Sequence, residues 1–123
     1  MDFGAADGFQ SVAEHVCAAF GATATIEYSR GYPVTFNDPD RTAFMTRVAQ
    51  EVAGEAAVDT AIAPLMGSED FSFMLLERPG AFIFIGNGDT ASVHNAKYDF
   101  DDAALPVGMS YWARLVEMAM PAN

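Results

Sequence analysis

The sequence predicts an α/β fold, and three patterns carry this prediction. Apolar residues recur at helical spacing in several segments, most clearly at Phe44, Val48 and Val52. Residues 22–30 alternate in polarity and are rich in β-branched side chains, which is typical of a strand. Residues 81–85 are apolar at every position, as in a central strand covered on both faces of a sheet.

Residues 1–32 form a first predicted unit, in which one helix is followed by the strand. The helix covers residues 9–20, with Asp7 and Gly8 as candidate caps at its start and Gly21 at its end. One helix and one strand cannot bury an apolar face by themselves. We therefore expect this unit to belong to a larger domain.

Two chemically reactive side chains lie on the first helix. Cys17 falls on the apolar stripe and is interpreted as a small buried hydrophobic residue rather than a nucleophile or a metal ligand. His15 lies off that stripe, so we expect it to be solvated. Neither residue is a strong candidate for chemistry.

Residues 33–123 form a second predicted unit of helices and strands. Its first helix starts at Asn37-Asp38-Pro39, where an acceptor side chain precedes a proline, and it stops at Gly54. The other predicted elements are a short strand and loop in 56–66, a short helix over 69–77 capped by Ser68, the strand at 81–85 and a last helix over about 102–120.

Apolar spacing predicts which faces of the later helices are buried. In the short helix, Phe71, Met74 and Leu75 are expected to face inward. In the last helix, one stripe is expected to face the core, and it consists of Leu105, Met109, Trp112, Val116 and Met120. Pro106 falls near the start of this helix, where a proline is tolerated.

The composition excludes several classes of function. Six basic and 17 acidic residues give a formal charge of −11, which argues against binding to nucleic acid or to an anionic membrane surface. A single cysteine excludes an internal disulfide and fits a reducing compartment. No apolar run reaches the roughly 20 residues of a membrane span, and the first residues lack the pattern of a signal peptide. A cytoplasmic location is expected.

Two places in the second unit could carry chemistry. His94 follows the strand at 81–85 by one glycine-rich turn, and ligands of open α/β sheets bind beyond the carboxyl ends of the strands. Glu69 and Asp70 stand at the start of the short helix, where carboxylates also stabilise the positive end of a helix. The spacing alone leaves both alternatives open, namely a site or an ordinary surface loop and helix start. No Ser–His–Asp order, CxxC pair, phosphate loop or HExxH motif is present.

Several short sequence blocks favour a functional site over an ordinary surface loop and helix start. They are MGSEDFS at 66–72, RPGAF at 78–82, GNG at 86–88, HNAKYDFDD at 94–102 and ALPVG at 104–108, with FGA, RGYP and ND further upstream. In this order they resemble the C-terminal third of hippurate hydrolases, which are N-acyl-amino-acid amidohydrolases of the zinc-peptidase-like, two-metal type. The resemblance covers nearly the whole chain.

The resemblance implies an architecture. Residues 33–123 would be the C-terminal half of a zinc-peptidase-like α/β catalytic domain. Residues 1–32 would be the last helix and strand of a lid or dimerisation domain inserted into it. The intact enzyme would then contain an N-terminal half that this chain lacks, and it could form a homodimer.

The resemblance also implies roles for particular residues. His94 would be a ligand of a centre with two divalent metal ions, which could be zinc, manganese, cobalt or nickel. Gly67, Glu69 and Asp70 would support the site, while the general base and the other ligands would lie outside this chain. The family has a proline two positions after the ligand histidine, and Ala96 stands there instead, which puts the stiffness of the loop in doubt.

The intact enzyme would hydrolyse the amide bond of N-acyl amino acids, so its substrate would be a small hippurate-like conjugate. One histidine cannot replace the three or so protein ligands of a catalytic metal site, so the chain alone is expected to be inactive. Two alternatives stay open. The chain could be a truncated remnant without activity, or it could be a free-standing α+β module that binds an apolar ligand on a Phe-rich face.

Overall fold

The structure is a computed structural model that describes residues 5–121. The described residues form four α-helices, joined by segments without regular secondary structure and one short 3-10 turn at Glu55–Ala57. The chain divides between Gly31 and Tyr32 into two compact units. The helices are α1 (Ala5–Ala19) in the first unit, and α2 (Pro39–Ala53), α3 (Phe71–Glu77) and α4 (Ala104–Ala119) in the second. That the units are parts of a lid and of a catalytic domain stays a prediction.

Helix α1 ends as its sequence predicts and begins earlier than expected. Gly21 adopts a left-handed φ of 70°, and the amide of Ala22 donates to the carbonyl of Cys17 at 2.9 Å, which closes the helix. Asp7 and Gly8 lie inside the helix rather than at its start, so their prediction as caps is wrong.

The side chains of α1 are more exposed than its pattern predicts. Phe9, Val12 and Val16 are all more than half exposed. Cys17 is only partly buried, and His15 is exposed with its Nδ1 atom 2.6 Å from the carbonyl oxygen of Ser11. The apolar stripe therefore has little cover within the described residues of the first unit.

Helix α2 has the predicted start and end. Asp38 is the N-cap, and its carboxylate accepts a hydrogen bond of 3.0 Å from the amide of Arg41, with Pro39 in the first turn. Gly54 ends the helix with a φ of 85°, and its amide donates to the carbonyl of Gln50. Val48, in the middle of the predicted stripe, is fully buried.

The three predicted strands do not form among the described residues. Residues 22–30, 56–66 and 81–85 have no regular secondary structure apart from the 3-10 turn that overlaps the second of them. A strand exists only when its backbone groups pair with those of a neighbour, and none of these segments pairs with another in a ladder. The described chain is therefore helical, and the α/β prediction is not met by it alone.

Residues 80–82 are nevertheless held in place by the start of α2. The side-chain amide of Asn37 donates to the carbonyl of Phe82 and accepts from the amide of Phe82, both at 2.8 Å. The amide of Asp38 donates to the carbonyl of Gly80 at 2.9 Å. These three hydrogen bonds satisfy backbone groups that a neighbouring strand would otherwise engage.

Helix α3 packs on the same segment. The rings of Phe71 and Phe82 lie 5.7 Å apart between centroids, and a Cβ atom added at Gly80 would stand 3.0 Å from Leu75 Cδ2. Phe71 and Leu75 thus face inward as predicted. Met74 is 65% exposed, so its prediction is wrong, and the buried position on this helix is Ser72.

Helix α4 packs against α2, and its less exposed face differs from the one predicted. All five residues of the predicted stripe are between 49% and 68% exposed. The less exposed positions lie on another stripe, which consists of Ala104, Gly108, Tyr111, Leu115 and Met118. Arg114 joins the two helices through a contact of 2.8 Å with Glu51, and the hydrogen bond with Glu51 raises the pKa of its guanidinium.

The described core is very small. Only Val48, Ser72, Ala81 and Tyr111 are buried among the residues whose burial the structure describes. The hydroxyl of Tyr111 has no hydrogen-bond partner there, and burial raises the pKa of this phenol above its ordinary value. Among the helices of residues 5–121, none has the length and apolar character that crossing a membrane requires.

Candidate functional site

The predicted metal ligand, His94, lies on an exposed loop with an unusual backbone conformation. Its φ is 67°, and no other residue except glycine has a positive φ in the described chain. Left-handed backbone costs a non-glycine residue about 1–2 kcal/mol. The surrounding loop therefore holds His94 in a strained conformation, which is a feature that often accompanies function.

The loop around His94 is built from consecutive tight turns. The amide of Asn95 donates to the carbonyl of Ser92 at 3.2 Å, and the amide of Tyr98 donates to the carbonyl of Asn95 at 2.9 Å. The side chain of Asn95 also accepts from the amide of Lys97 at 2.9 Å. These bonds shape the loop without the proline that the resemblance places at the position of Ala96.

Polar side chains from residues 87–90 close the base of this loop. The side chain of Asn87 donates to the carbonyl of Asp99 at 2.7 Å and accepts from the amide of Asp101 at 2.8 Å. The hydroxyl of Thr90 accepts from the amide of Asp99 at 3.0 Å. Residues 91–98 thus form a closed loop, and the imidazole of His94 projects from an anchored backbone rather than from a free one.

Glu69 and Asp70 lie at the start of α3, as the sequence predicts whether they belong to a site or only to an ordinary helix start. The carboxylate of Glu69 accepts from the amide of Phe71 at 3.1 Å, and its carbonyl accepts from the hydroxyl of the buried Ser72 at 2.5 Å. Asp70 is the N-cap residue, but its side chain makes no capping hydrogen bond and is exposed. Glu69 therefore has a structural role at the helix start, whereas the carboxylate of Asp70 is free of one.

The structure shows no conformational need for a glycine at position 67. A Cβ atom there would meet open space, and Gly67 is not among the glycines with a positive φ. The supporting role that the resemblance gives to Gly67, Glu69 and Asp70 stays a prediction.

The candidate residues do not form a metal site by themselves. Within the described part of the chain, no three His, Cys, Asp or Glu side chains stand close enough together to hold a metal ion. His94 offers one imidazole, and a catalytic metal requires about three protein ligands. The donor set of these residues thus does not fit a metal centre without ligands from elsewhere.

Two asparagines that no sequence motif singles out hold the segments around the site: Asn87 closes the His94 loop, and Asn37 holds residues 80–82. The sequence pattern places Asn37 in a helix start and Asn87 in a glycine-rich turn, yet the side chain of each pairs with the backbone of a distant segment. An asparagine beside a predicted buried strand or a glycine turn is a signal for such pairing, since one amide side chain both donates and accepts.

A comparison with protein families supports the resemblance. The model of Peptidase family M20/M25/M40 matches residues 3–118, which is nearly the whole chain. No solved structure matches the chain.

Individual relatives agree with the family match. The chain is 37% identical over 83 residues to a hippurate hydrolase of Campylobacter jejuni, and the match covers 68% of this chain and 22% of the relative. It is 28% identical over 110 residues to thermostable carboxypeptidase 2 of Saccharolobus solfataricus, covering 85% of this chain and 27% of that one. It is also 28% identical over 112 residues to an N-acetyldiaminopimelate deacetylase of Pediococcus pentosaceus, covering 90% and 29%.

The matched region is a small part of each relative. It spans between 22% and 29% of the length of these three proteins, so most of each relative has no counterpart here. The match to the family model, in contrast, extends over both units of the chain. The chain therefore belongs to Peptidase family M20/M25/M40, a family of hydrolases.

Proposed function

We propose that this chain is the C-terminal portion of a metal-dependent amidohydrolase that cleaves the amide bond of N-acyl amino acids. Members of the M20 family are metal-dependent, and the relatives include a hippurate hydrolase, a carboxypeptidase and a deacetylase. In this proposal, the remaining ligands and the general base come from a part of the enzyme that the chain does not contain.

The observation that carries the proposal is the conformation of His94. Its backbone is held at a φ of 67° by a loop that Asn87 and Thr90 close at the base. Glycine would adopt this conformation at no steric cost, and histidine is among the few other residues enriched there, so the position is compatible with a functional imidazole. An imidazole on an anchored and exposed loop can serve as one ligand of a metal centre completed by other parts of the enzyme.

The proposed architecture also explains the predicted strands. Residues 81–85 carry the apolar pattern of a central strand, and Phe84 is 64% exposed in this chain. If neighbouring strands come from the remainder of the enzyme, this segment becomes an interior strand of an α/β sheet. The first unit would belong to the lid or dimerisation domain, with the boundary near residue 32.

Activity can be tested in a hybrid enzyme, in which this chain is joined to the part of the Campylobacter jejuni hippurate hydrolase that its match does not cover. We expect the hybrid enzyme to release amino acids from N-acyl amino acids, and the chain alone to release none. His94→Asn should lower the activity of the hybrid at least about 100-fold, since asparagine tolerates the left-handed backbone but cannot replace the imidazole.

Two comparisons separate the proposal from its alternatives. His15→Asn is the matched control, since His15 is exposed on α1, and it should leave the activity of the hybrid unchanged. An inactive hybrid that folds with a cooperative thermal transition would favour a remnant without activity. Equal activity in the His94→Asn hybrid would remove His94 from the site.

A further inference from the structure

Asn87 is the only asparagine of the chain that precedes a glycine. Asparagine is one of the thermolabile residues of proteins, because its side-chain amide can be attacked by the backbone nitrogen of the next residue. A glycine in that next position hinders the attack least, since it carries no side chain and its backbone turns freely. The pair Asn87-Gly88 therefore combines the two features that favour this reaction.

The structure leaves the backbone nitrogen of Gly88 free to react. Gly88 is exposed and has a left-handed φ of 74°. None of the hydrogen bonds described within residues 5–121 uses its amide as the donor. The surroundings of its Cα are also open, because the one atom near an added Cβ would be Oδ2 of Asp101, at 3.5 Å. The attacking group is thus both exposed and unengaged in this part of the chain.

The amide group that the reaction would remove helps to close the loop that carries His94. Nδ2 of Asn87 donates to the carbonyl of Asp99 at 2.7 Å, and Oδ1 accepts from the amide of Asp101 at 2.8 Å. A carboxylate could replace the acceptor but not the donor. One of its oxygens would then face the carbonyl oxygen of Asp99, where two acceptors have no proton to share.

We propose that Asn87 is a site of spontaneous deamidation, and that this modification opens the loop that carries His94. The backbone nitrogen of Gly88 forms a bond to Cγ of Asn87, the bond from Cγ to Nδ2 breaks, and ammonia leaves with the proton of the Gly88 amide. Water then hydrolyses the cyclic imide at either of its two carbonyls. One product is aspartate, and the other is isoaspartate, in which the backbone runs through the former side chain.

Both products weaken the closure of the loop. Each removes the donor to the carbonyl of Asp99 and adds one negative charge. The segment around it is already acidic, since four aspartates lie close by in the sequence, namely Asp89, Asp99, Asp101 and Asp102. Isoaspartate also adds a methylene group to the backbone, which displaces the side-chain group from both of its hydrogen-bond partners. The inference concerns the folded chain itself and does not rest on the proposed function.

Peptide mapping with fragment-ion mass spectrometry tests the modification directly, since it locates each asparagine that has become an acid. The chain is incubated for several weeks at mildly alkaline pH. Asn95 is the internal control, because it lies in the same loop, is exposed and precedes an alanine. We expect Asn87 to be modified at least about tenfold faster than Asn95, since the Cβ of alanine hinders the attack. Equal rates at the two positions, or no modification of Asn87, would overturn the inference.

Two aspartate variants test the opening of the loop. Asn87→Asp reproduces one product of the reaction. Asn95→Asp adds the same charge to the same loop but keeps its side-chain hydrogen bond, because a carboxylate still accepts from the amide of Lys97. In the parent, the amide of Asp99 donates to the hydroxyl of Thr90 at the base of the loop, so its hydrogen exchange reports the closure.

We expect the amide of Asp99 to exchange at least about tenfold faster in Asn87→Asp than in the parent, and within about twofold of the parent in Asn95→Asp. The amide of Gly54 at the end of α2 should exchange at the same rate in all three proteins, since the opening is local. Equal exchange of the Asp99 amide in the two variants would overturn the inference. So would an increase at Gly54 as large as that at Asp99, because it would show general unfolding.

Discussion

The side-chain amide of Asn37 pairs with the backbone of Phe82 in the pattern that a residue of a neighbouring strand would use. It accepts from the Phe82 amide and donates to the Phe82 carbonyl, each at 2.8 Å. Two residues directly opposite in an antiparallel ladder exchange the same two hydrogen bonds. One side chain at the start of α2 thereby holds a predicted strand that has no strand beside it within residues 5–121.

Replacing this asparagine should weaken the second unit. Asn37→Ala leaves the amide and carbonyl of the partly buried Phe82 without these partners, so we expect the free energy of unfolding to fall by about 1–3 kcal/mol. Urea denaturation followed by circular dichroism measures the change. Asn95→Ala is the control, because Asn95 is exposed and bonds only within its own loop, and its effect should stay within about 0.5 kcal/mol. Equal effects of the two substitutions would contradict the anchoring role of Asn37.

Removing the hydroxyl of Tyr111, in contrast, should not lower the free energy of unfolding. It is buried and has no partner among the described residues, so Tyr111→Phe removes an unsatisfied polar group and keeps the ring. We expect the free energy of unfolding to stay constant or to rise by up to about 1 kcal/mol. A loss of more than about 1 kcal/mol, against no change in the exposed-position control Tyr98→Phe, would show that the hydroxyl does have a partner.

The same residue should make stability sensitive to alkaline pH. Burial raises the pKa of Tyr111 above 10.0, so the folded chain holds this proton more tightly than the unfolded chain does. Its contribution to stability is fully present below pH 10 and is lost as the pH rises above that value. When urea denaturation is measured from about pH 8 to about pH 11, the free energy of unfolding should therefore fall more steeply for the parent than for Tyr111→Phe. An equal fall in the free energy of unfolding of the two proteins would contradict a raised pKa of Tyr111 in the folded chain.

The exposed part of residues 81–85 should promote self-association. These five residues are apolar and uncharged, and Phe84 is 64% exposed, which is the composition of an aggregation-prone segment. Phe84→Lys should lower light scattering on warming by at least about twofold. Phe36→Lys is matched in charge and has a side chain 70% exposed outside this segment. If it suppresses scattering equally well, the effect comes from net charge alone.

The boundary between the two units should be the first place that a protease cuts. The division lies between Gly31 and Tyr32, in a segment without regular secondary structure. Limited proteolysis followed by intact-mass measurement should give fragments that end within a few residues of this point. Earlier cleavage inside 81–85 would contradict the division.

Local signals predicted both ends of α2 and the end of α1, but they misplaced the start of α1. Asp38, Pro39 and Gly54 determine the ends of α2 through short-range hydrogen bonds and backbone geometry, and Gly21 does the same for α1. These effects involve residues no more than a few positions apart. They are present in the sequence itself and do not depend on what surrounds the helix.

Long-range features were harder to predict, and α4 shows why. Its sequence has two apolar stripes, and periodicity alone gives no means of deciding which of them is the less exposed one. The predicted strand at 81–85 is absent from the described chain for a related reason. A strand requires a neighbouring strand, and the described residues provide only the side chain of Asn37. In the candidate site, His94 could be named from the resemblance, whereas its left-handed backbone and the closure of its loop by Asn87 could not.

The left-handed backbone at position 94 means that folding and the proposed chemistry make different demands on the residue there. Glycine or asparagine at position 94 would keep a φ near 67° with less strain or none, so selection for folding alone would accept them readily. If His94 is the proposed metal ligand, selection for hydrolysis in the hybrid enzyme would accept only histidine. A saturation library at this codon, sorted once for folded protein and once for a working hybrid, should therefore return two different sets of residues. In that case, replacement of His94 by asparagine would leave the fold unchanged, and the loss of the proposed activity would be recorded only in the identity of one amino acid.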